Sequence, residues 1–321
     1  MTFKFSNPNL RYIFDKFYKD HPEASKFEKT CDDFLLFLEA LPKEADVTAL
    51  SLKEYQTLLL EDHRKATEEF NKELNQNIKA IWIISSFKIY RLLNAILSLF
   101  EKEDFYSAIT LIRTLVETTC FCNHRLSEIS LIVKEANKNT HDFMEFSQYT
   151  AVLEDLLQVS RKGTKISVFL KEGTDTIEAE RISDSIKYVS KQEKYNTLKR
   201  NYGLLCDFVH PNMLSNEIFG IPTRLYKKDD KEFIPEGIIM VRGEVDKYYR
   251  DIPKDAFILH VRFLGMLIKT IILCIDLFKE TFEKYKDLHI EKCYNPVFDL
   301  INNMPEKERN KLKKEIVKGE S

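Results

Sequence analysis

Apolar residues recur at every third or fourth position along most of the chain, which is the spacing of one buried face of an α-helix. No Pro or Gly interrupts this pattern between residues 51 and 100. The stretch is amphipathic and charged over 51–75 and apolar on nearly all sides from residue 78, which predicts a surface helix followed by a central one. The spacing leaves open whether these are one helix or two with a break near residues 74–78.

Further helices follow from the same pattern. "EKED" forms a short turn in which Asp104 is the predicted N-cap of the next helix, so the two flanking helices are expected to form an αα-hairpin. Helical periodicity then continues through most of the remaining sequence. The predicted core helices are 78–101, 104–124, 193–210 and 253–286, with shorter helices near 127–137 and 140–158.

The β-type pattern is confined to short stretches. Residues 214–245 include "IPTRLYKKDDKEFIPEGIIMVRG", which predicts a small extended insert around a charged turn. The fold class predicted is therefore all-α, a helical bundle with an N-terminal helical layer and a small extended or β insert near 214–245. The predicted domains are an N-terminal layer at 1–75, a bundle core at 76–290 and a polar tail helix at 291–321.

Composition supports a globular helical protein. Hydrophobic residues make up 44% and charged residues 31% of the chain, and its 8 Gly and 9 Pro are few for a fold with many turns. The formal charge of −2 removes a global electrostatic case for binding nucleic acid or anionic membranes. Six scattered cysteines, mostly within apolar helical stretches, indicate free thiols and a cytoplasmic location.

The strongest membrane candidate is "FLGMLIKTIILCIDLF" at residues 263–278. Lys269 and Asp276 interrupt it, and it is shorter than the roughly 20 residues that a spanning helix needs. We interpret it as a buried helix and expect no membrane partner. No N-terminal signal is visible in "MTFKFSNPNLRYIF".

Two opposite charges lie four residues apart inside an apolar helix. Arg113 and Glu117 occur in "AITLIRTLVETTCF", so part of this pair is expected to face other helices. A buried charge costs several kcal/mol unless it is paired and hydrogen-bonded, so each member requires further partners. The candidate partners on other helices are Arg91, Asn94, Ser98, Tyr202, His210, His260 and Arg262.

The stretch "YGLLCDFVHPN" places Tyr202, Cys206 and His210 four residues apart on one helix, which Pro211 ends. Cys206 and His210 have the spacing of two metal ligands, with Glu117 or His260 able to complete a site. No second Cys/His pair with ligand spacing occurs, and Cys120 and Cys122 lie about 200° apart on their helix. We therefore predict neither a metal nor a cofactor.

His210 also suits metal-independent RNA cleavage. A histidine at a helix end is accessible and can move the proton of a ribose 2′-hydroxyl, while an arginine neutralises the phosphate in the transition state. The alternatives are that His210 is an ordinary helix-terminal residue and that the polar cluster only fixes the register of the helices. The sequence leaves these alternatives open.

The hairpin with Arg113 and Glu117, together with Tyr202, Cys206 and His210, resembles an uncharacterised family of bacterial and archaeal helical proteins. That family has an Arg-x3-Glu helix and a Tyr…Ser/Cys…His-Pro helix end, and it is similar in layout to the HEPN superfamily. The resemblance covers residues 78–290. It implies a homodimer and a metal-independent endoribonuclease or toxin-type effector in host defence against phage.

The sequence departs from the HEPN nuclease signature, an Arg followed by four to six residues and then His. In "RNYGLLCDFVH" nine residues separate Arg200 from His210, a rise of about 15 Å on one helix. Either Arg113 supplies the cation in space, or the chain is a non-nuclease relative. The predicted catalytic residues are His210 as acid and base, Arg113 or Arg200 as the phosphate-binding cation, Glu117 and Tyr202.

The sequence leaves two other functions open. The chain could be a non-catalytic interaction or scaffold module whose polar cluster is structural and whose helix 51–75 binds a partner protein. It could instead bind a small ligand or nucleotide near the basic loop 161–172, although the sequence has no Gly-rich phosphate-binding motif.

Overall fold

The computed structural model describes the helical framework of the chain. The described residues are 6, 26–44, 52–102, 104–138, 153, 156–157, 182–209, 220–227, 233–239, 254–290, 304–308 and 310–311. For 220–227, 233–239 and 254–263 it describes the backbone alone.

Helices dominate this part of the chain, which confirms the all-α fold class. A 3-10 turn at Glu193–Tyr195 precedes α6, and strands β1 and β2 lie between α6 and α7. The helices are α1 Phe27–Ala40, α2 Leu52–Glu61, α3 His63–Glu101, α4 Phe105–Lys138, α5 Ile182–Ser190, α6 Thr197–Val209 and α7 Lys254–Tyr285.

Helix α3 runs without a break through residues 74–78, which decides the alternative that spacing left open. The interruption lies earlier, at Asp62, between α2 and α3. The Lys65 backbone N–H donates to Asp62 Oδ1 at 3.1 Å, so Asp62 satisfies an N–H of the first turn of α3. The boundary between α2 and α3 is therefore marked by the short polar side chain of Asp62, and it involves neither Pro nor Gly.

Helix α4 begins as predicted but is longer than predicted. The Ser107 N–H donates to Asp104 Oδ1 at 3.2 Å, which confirms Asp104 as the N-cap. The predicted end near residue 124, with a separate helix at 127–137, was wrong, because α4 continues to Lys138. Two buried polar residues there bond to other side chains: Asn123 Nδ2 donates to Thr281 Oγ1 at 2.7 Å, and Arg125 Nη1 donates to Glu128 Oε2 at 2.8 Å.

The backbone of the predicted insert contains two antiparallel strands. Strand β1 is Gly220–Lys227 and β2 is Phe233–Ile239, and Leu225 pairs with Pro235 near the middle of the register. Both strands lie within the range 214–245. The predicted helix near 140–158 lies outside the described residues except for 153, 156 and 157.

The chain divides into two compact units, each assembled from three separate segments. Three of the five boundaries fall inside α3, α4 and α7, so each of these helices contributes to both units. The predicted domain boundaries at 75/76 and 290/291 stay predictions. Unit 1 holds Met1–Leu41, Ser86–Phe121 and Ile182–Glu280, and unit 2 holds Pro42–Ser85, Cys122–Arg181 and Thr281–Ser321.

The core of unit 1 is formed by the apolar faces of the helices. Phe34 of α1 packs edge-on against Phe278 of α7, with ring centroids 5.9 Å apart. A buried polar pair lies within the same unit, where Asn201 Nδ2 donates to Thr270 Oγ1 at 2.9 Å. Because both side chains are buried, this bond fixes how α6 registers against α7.

Unit 2 uses similar contacts. Trp82 of α3 packs edge-on against Phe282 of α7, with centroids 5.3 Å apart. Asn75 makes a two-way hydrogen bond with the backbone of Ile290: its Nδ2 donates to the carbonyl at 3.2 Å, and its Oδ1 accepts from the N–H at 2.8 Å. The segment after α7 is thereby tied to α3.

The buried-helix interpretation of 263–278 is confirmed for α7, since Leu267, Ile271 and Phe278 are fully buried. By length and composition alone, one described stretch could cross a membrane, namely Glu68–Glu101 of α3. The core helix of a soluble protein has the same properties. The absence of a membrane partner therefore stays a prediction.

Candidate functional site

The Arg113/Glu117 pair forms on α4 as the spacing predicts. Arg113 Nε donates to Glu117 Oε1 at 3.1 Å, across one helical turn. The side chains are 28% and 26% exposed, so the pair is neither sealed in the core nor fully hydrated. A pair in this position is screened less by water than a surface ion pair, loses part of its hydration and still meets solvent.

Tyr202 of α6 joins this pair. Its hydroxyl donates to the same Glu117 Oε1 at 2.8 Å, and the Arg113 guanidinium carbon lies 5.6 Å from the centroid of its ring. Arg113 is therefore held by a carboxylate and by the face of an aromatic ring. Three of the five predicted catalytic residues, Arg113, Glu117 and Tyr202, thus lie together within unit 1.

Cys206, one turn further along α6, is also within electrostatic reach of Arg113. Glu117 contacts Tyr202, and Arg113 interacts with both Tyr202 and Cys206, so one turn of α4 meets one turn of α6. We call Arg113, Glu117, Tyr202 and Cys206 the Arg113 cluster.

The protonation states within the Arg113 cluster follow from burial and charge. Burial, and then the hydrogen bond to Glu117, raise the pKa of the Tyr202 phenol well above its ordinary value, so the hydroxyl remains a donor. Burial alone would lower the pKa of Arg113, but Tyr202, Cys206 and Glu117 together raise it. The cluster therefore holds a cationic guanidinium at neutral pH.

Arg200 does not join the cluster. It lies two residues before Tyr202 on α6, about 200° away around the helix axis, and it is exposed. Arg113 is consequently the cation that accompanies Tyr202. Of the two cations that the sequence offered for phosphate binding, the structure brings only Arg113 to this cluster.

His210 and Pro211 follow the last residue of α6 and lie outside the described residues, as does the loop 161–172. The side chains of His260 and Arg262 also lie outside them. The other three candidate partners are exposed on α3, where Arg91 lies over Phe87 and Asn94 Nδ2 donates to the Tyr90 carbonyl.

The sequence interpretation missed a second polar cluster in unit 1. The Tyr195 hydroxyl donates to Glu280 Oε2 at 2.6 Å, and Lys194 Nζ lies 2.5 Å from Glu280 Oε1 and 3.3 Å from Asp276 Oδ2. We call Lys194, Tyr195, Asp276 and Glu280 the Tyr195 cluster. The residue in the sequence that could have indicated this cluster is Asp276, because a charge that interrupts an apolar helix requires a partner.

The five described cysteines are free thiols, as predicted. Burial raises the pKa of Cys122 and Cys274 to about 12, and it also raises the pKa of Cys31 and Cys120. Cys206 differs because it is only half-buried. Within the described part of the chain, no group of three or more His, Cys, Asp or Glu side chains is arranged to hold a metal ion.

No protein-family model, curated protein or solved structure matches the chain. The fold and the Arg113 cluster therefore carry the functional argument.

Proposed function

We propose that the chain is a HEPN-like, metal-independent RNA-cleaving enzyme that acts as a toxin-type effector in host defence against phage. Arg113 binds the phosphate at the cleaved bond, and His210 takes the proton from the ribose 2′-hydroxyl and returns a proton to the leaving oxygen. Glu117 and Tyr202 act as positioning residues for Arg113.

The observation that carries this proposal is the way Arg113 is held. Its Nε bonds to Glu117 and its guanidinium rests over the Tyr202 ring, which restricts the side chain while leaving it 28% exposed. Among the described residues, no carboxylate accepts a hydrogen bond from its two terminal nitrogens. A restrained guanidinium with available donors suits binding of a phosphate.

The position of His210 in the sequence supports the same proposal. It directly follows Val209, the last residue of α6, and α6 is the helix that carries Tyr202 and Cys206. The resemblance to the HEPN layout adds the expectation of a homodimer. Light scattering on the purified chain measures that oligomeric state independently of any activity.

The test compares purified wild type with His210→Ala on single-stranded and structured RNA, with EDTA present throughout. Loss of a general acid–base group lowers a rate by about 100- to 10,000-fold, so His210→Ala is expected to be nearly inactive. His289→Ala is the matched control, because His289 is an exposed histidine outside the Arg113 cluster and is expected to leave the rate unchanged. Equal degradation by wild type and His210→Ala, or none by wild type on any RNA, would exclude the proposal.

A specific observation favours a second candidate, the non-catalytic interaction module. Glu117 Oε1 already accepts hydrogen bonds from both Arg113 and Tyr202, so this part of the cluster is satisfied without a ligand. For such a module, Arg113→Ala and His210→Ala lower the melting temperature without abolishing a biochemical activity. Arg113→Lys separates the two candidates, since it keeps the charge but removes the planar donor group that a phosphate needs.

A further inference from the structure

An exposed stripe runs along the second half of α3, within unit 1. Phe87 is 60% exposed, which is unusual for so large an apolar side chain. Phe87, Arg91 and two polar residues fall within about 60° of one another around the helix, and Lys88 flanks them. The residues of this Phe87 stripe are all exposed: Phe87, Lys88, Arg91, Asn94 and Ser98.

The aromatic ring and a cation are stacked within the stripe. The guanidinium carbon of Arg91 lies 5.2 Å from the centroid of the Phe87 ring. A guanidinium over a ring presents a flat surface with a positive charge attached, and nucleic acid bases stack both on aromatic rings and on guanidinium planes. Such a surface accepts any base, because every base has a π-face.

The charge of this region differs from that of the whole chain. Residues 74–100 contain Lys79, Lys88 and Arg91 but no Asp or Glu, whereas the full chain has a net charge of −2. Among the described residues, no carboxylate forms an ion pair with Lys88 or Arg91. Within the described part of the chain, the stripe therefore combines an exposed aromatic surface with two cations that form no ion pair.

These two properties select among possible occupants. In a two-fold contact between two copies of the chain, the stripe of one copy would face the stripe of the other. Lys88 and Arg91 of both copies would then lie close together, with no carboxylate in the stripe to offset the repulsion. A single-stranded polyanion with stacking bases matches both the charge and the aromatic surface.

We propose that the Phe87 stripe is a docking surface for single-stranded RNA, with bases stacked on the Phe87–Arg91 pair and phosphates beside Lys88 and Arg91. This inference rests on the proposed function, and it states that the RNA substrate binds as a single strand. The stripe and Arg113 belong to the same compact unit.

The test measures binding of a fluorescent single-stranded RNA of about twelve nucleotides by anisotropy. All proteins carry His210→Ala, so that the RNA survives the measurement. Loss of one stacking side chain is expected to weaken binding about tenfold in Phe87→Ala. Leu36→Ala is the matched control, since Leu36 is 58% exposed on α1 of the same unit, and its affinity is expected to stay unchanged. Arg91→Gln is expected to weaken binding and reduce the salt dependence by about one phosphate contact.

An affinity for RNA in Phe87→Ala equal to that of Leu36→Ala overturns the inference, and so does the absence of RNA binding in the parent protein. Conversion of a dimer to a monomer by Phe87→Ala at unchanged RNA affinity also overturns it, because the stripe is then a self-association surface. RNA cleavage is measured in a separate assay, in which each variant carries a single substitution. If His210→Ala does not slow cleavage while Phe87→Ala weakens binding, the result supports the stripe as an RNA-binding surface and excludes the proposed catalytic role of His210.

Discussion

The Tyr195 cluster and the Arg113 cluster share one contact pattern and differ in what they leave exposed. In each, a tyrosine hydroxyl donates to a glutamate that also binds a cation, and the cation lies near the ring of that tyrosine. Tyr195 and Tyr202 are close in sequence, but their glutamates come from different helices: Glu280 from α7 and Glu117 from α4.

The difference lies in burial and in the number of carboxylates. Tyr195 is only 1% exposed, and Lys194 contacts both Asp276 and Glu280, so two carboxylates satisfy one ammonium group. In the Arg113 cluster, one carboxylate contacts a half-buried guanidinium that has further donors. The same contact pattern thus attaches a turn to α7 in one place and presents a restrained cation in the other.

The largest expected effect is a difference in stability between alanine variants of the buried Tyr195 and the half-buried Tyr202. Tyr195→Ala removes a fully buried ring and leaves a cavity, so we expect the free energy of unfolding to fall by about 3–5 kcal/mol. Tyr202→Ala, at a half-buried position, should cost clearly less. Urea unfolding followed by circular dichroism measures both variants. Equal losses would show that the two rings are equally important to the fold and would remove the contrast.

The second prediction compares the stability lost when each of the two cations, Arg113 and Lys194, is replaced by alanine. Arg113→Ala leaves a partly buried Glu117 with Tyr202 as its remaining partner in the cluster, so we expect a loss of about 1–2 kcal/mol. Lys194→Ala removes a side chain that is 48% exposed, and hydrated carboxylates tolerate its loss at a cost below about 1 kcal/mol. The same urea measurement applies. A larger loss for Lys194→Ala would show that the Lys194 ion pairs contribute more to the free energy of unfolding than the Arg113–Glu117 pair.

The smallest effect is a pH dependence in the Tyr195 cluster. Burial alone would raise the pKa of Glu280, but the hydrogen bonds from Lys194 and Tyr195 lower it below its ordinary 4.5. A lowered folded-state pKa adds stability above the unfolded-state value, and this stability is lost as the pH falls through the folded-state value.

Glu280→Gln is therefore expected to be less stable than wild type at pH 7, and the difference should shrink below about pH 4.5. Urea midpoints of the two proteins across this range provide the measurement. A difference that stays constant down to pH 3 would show that the charge of Glu280 contributes nothing through Lys194 and Tyr195.

The Arg113 cluster was predictable in part because its residues repeat at helical spacing. Arg113 and Glu117 are charges within an apolar helix, which requires partners, and Tyr202 was among the candidate partners on other helices. The Tyr195 cluster was not predictable, because Lys194 and Tyr195 lie in a short 3-10 turn within a stretch interpreted as helix. Their carboxylates are distant in sequence, on α7.

The helices and most of their ends followed from apolar periodicity, capping residues and Pro, whereas the length of α4 and the grouping of helices into two units did not. The predicted helix ended near residue 124, but α4 continues past Asn123, whose buried Nδ2 donates to Thr281 Oγ1 at 2.7 Å. The two compact units have no sequence signature, because each is formed by contacts among three separate segments.

The sharing of α3, α4 and α7 between the two units has a consequence during protein synthesis. The last segment of unit 1 extends to Glu280, and unit 2 begins within the first 50 residues and continues past that point. Neither unit can be completed while the other is still missing from the nascent chain, so folding of unit 1 cannot be completed before residue 280 has been synthesised. No single cut of the polypeptide separates the two units, and a stop codon before residue 280 leaves both incomplete.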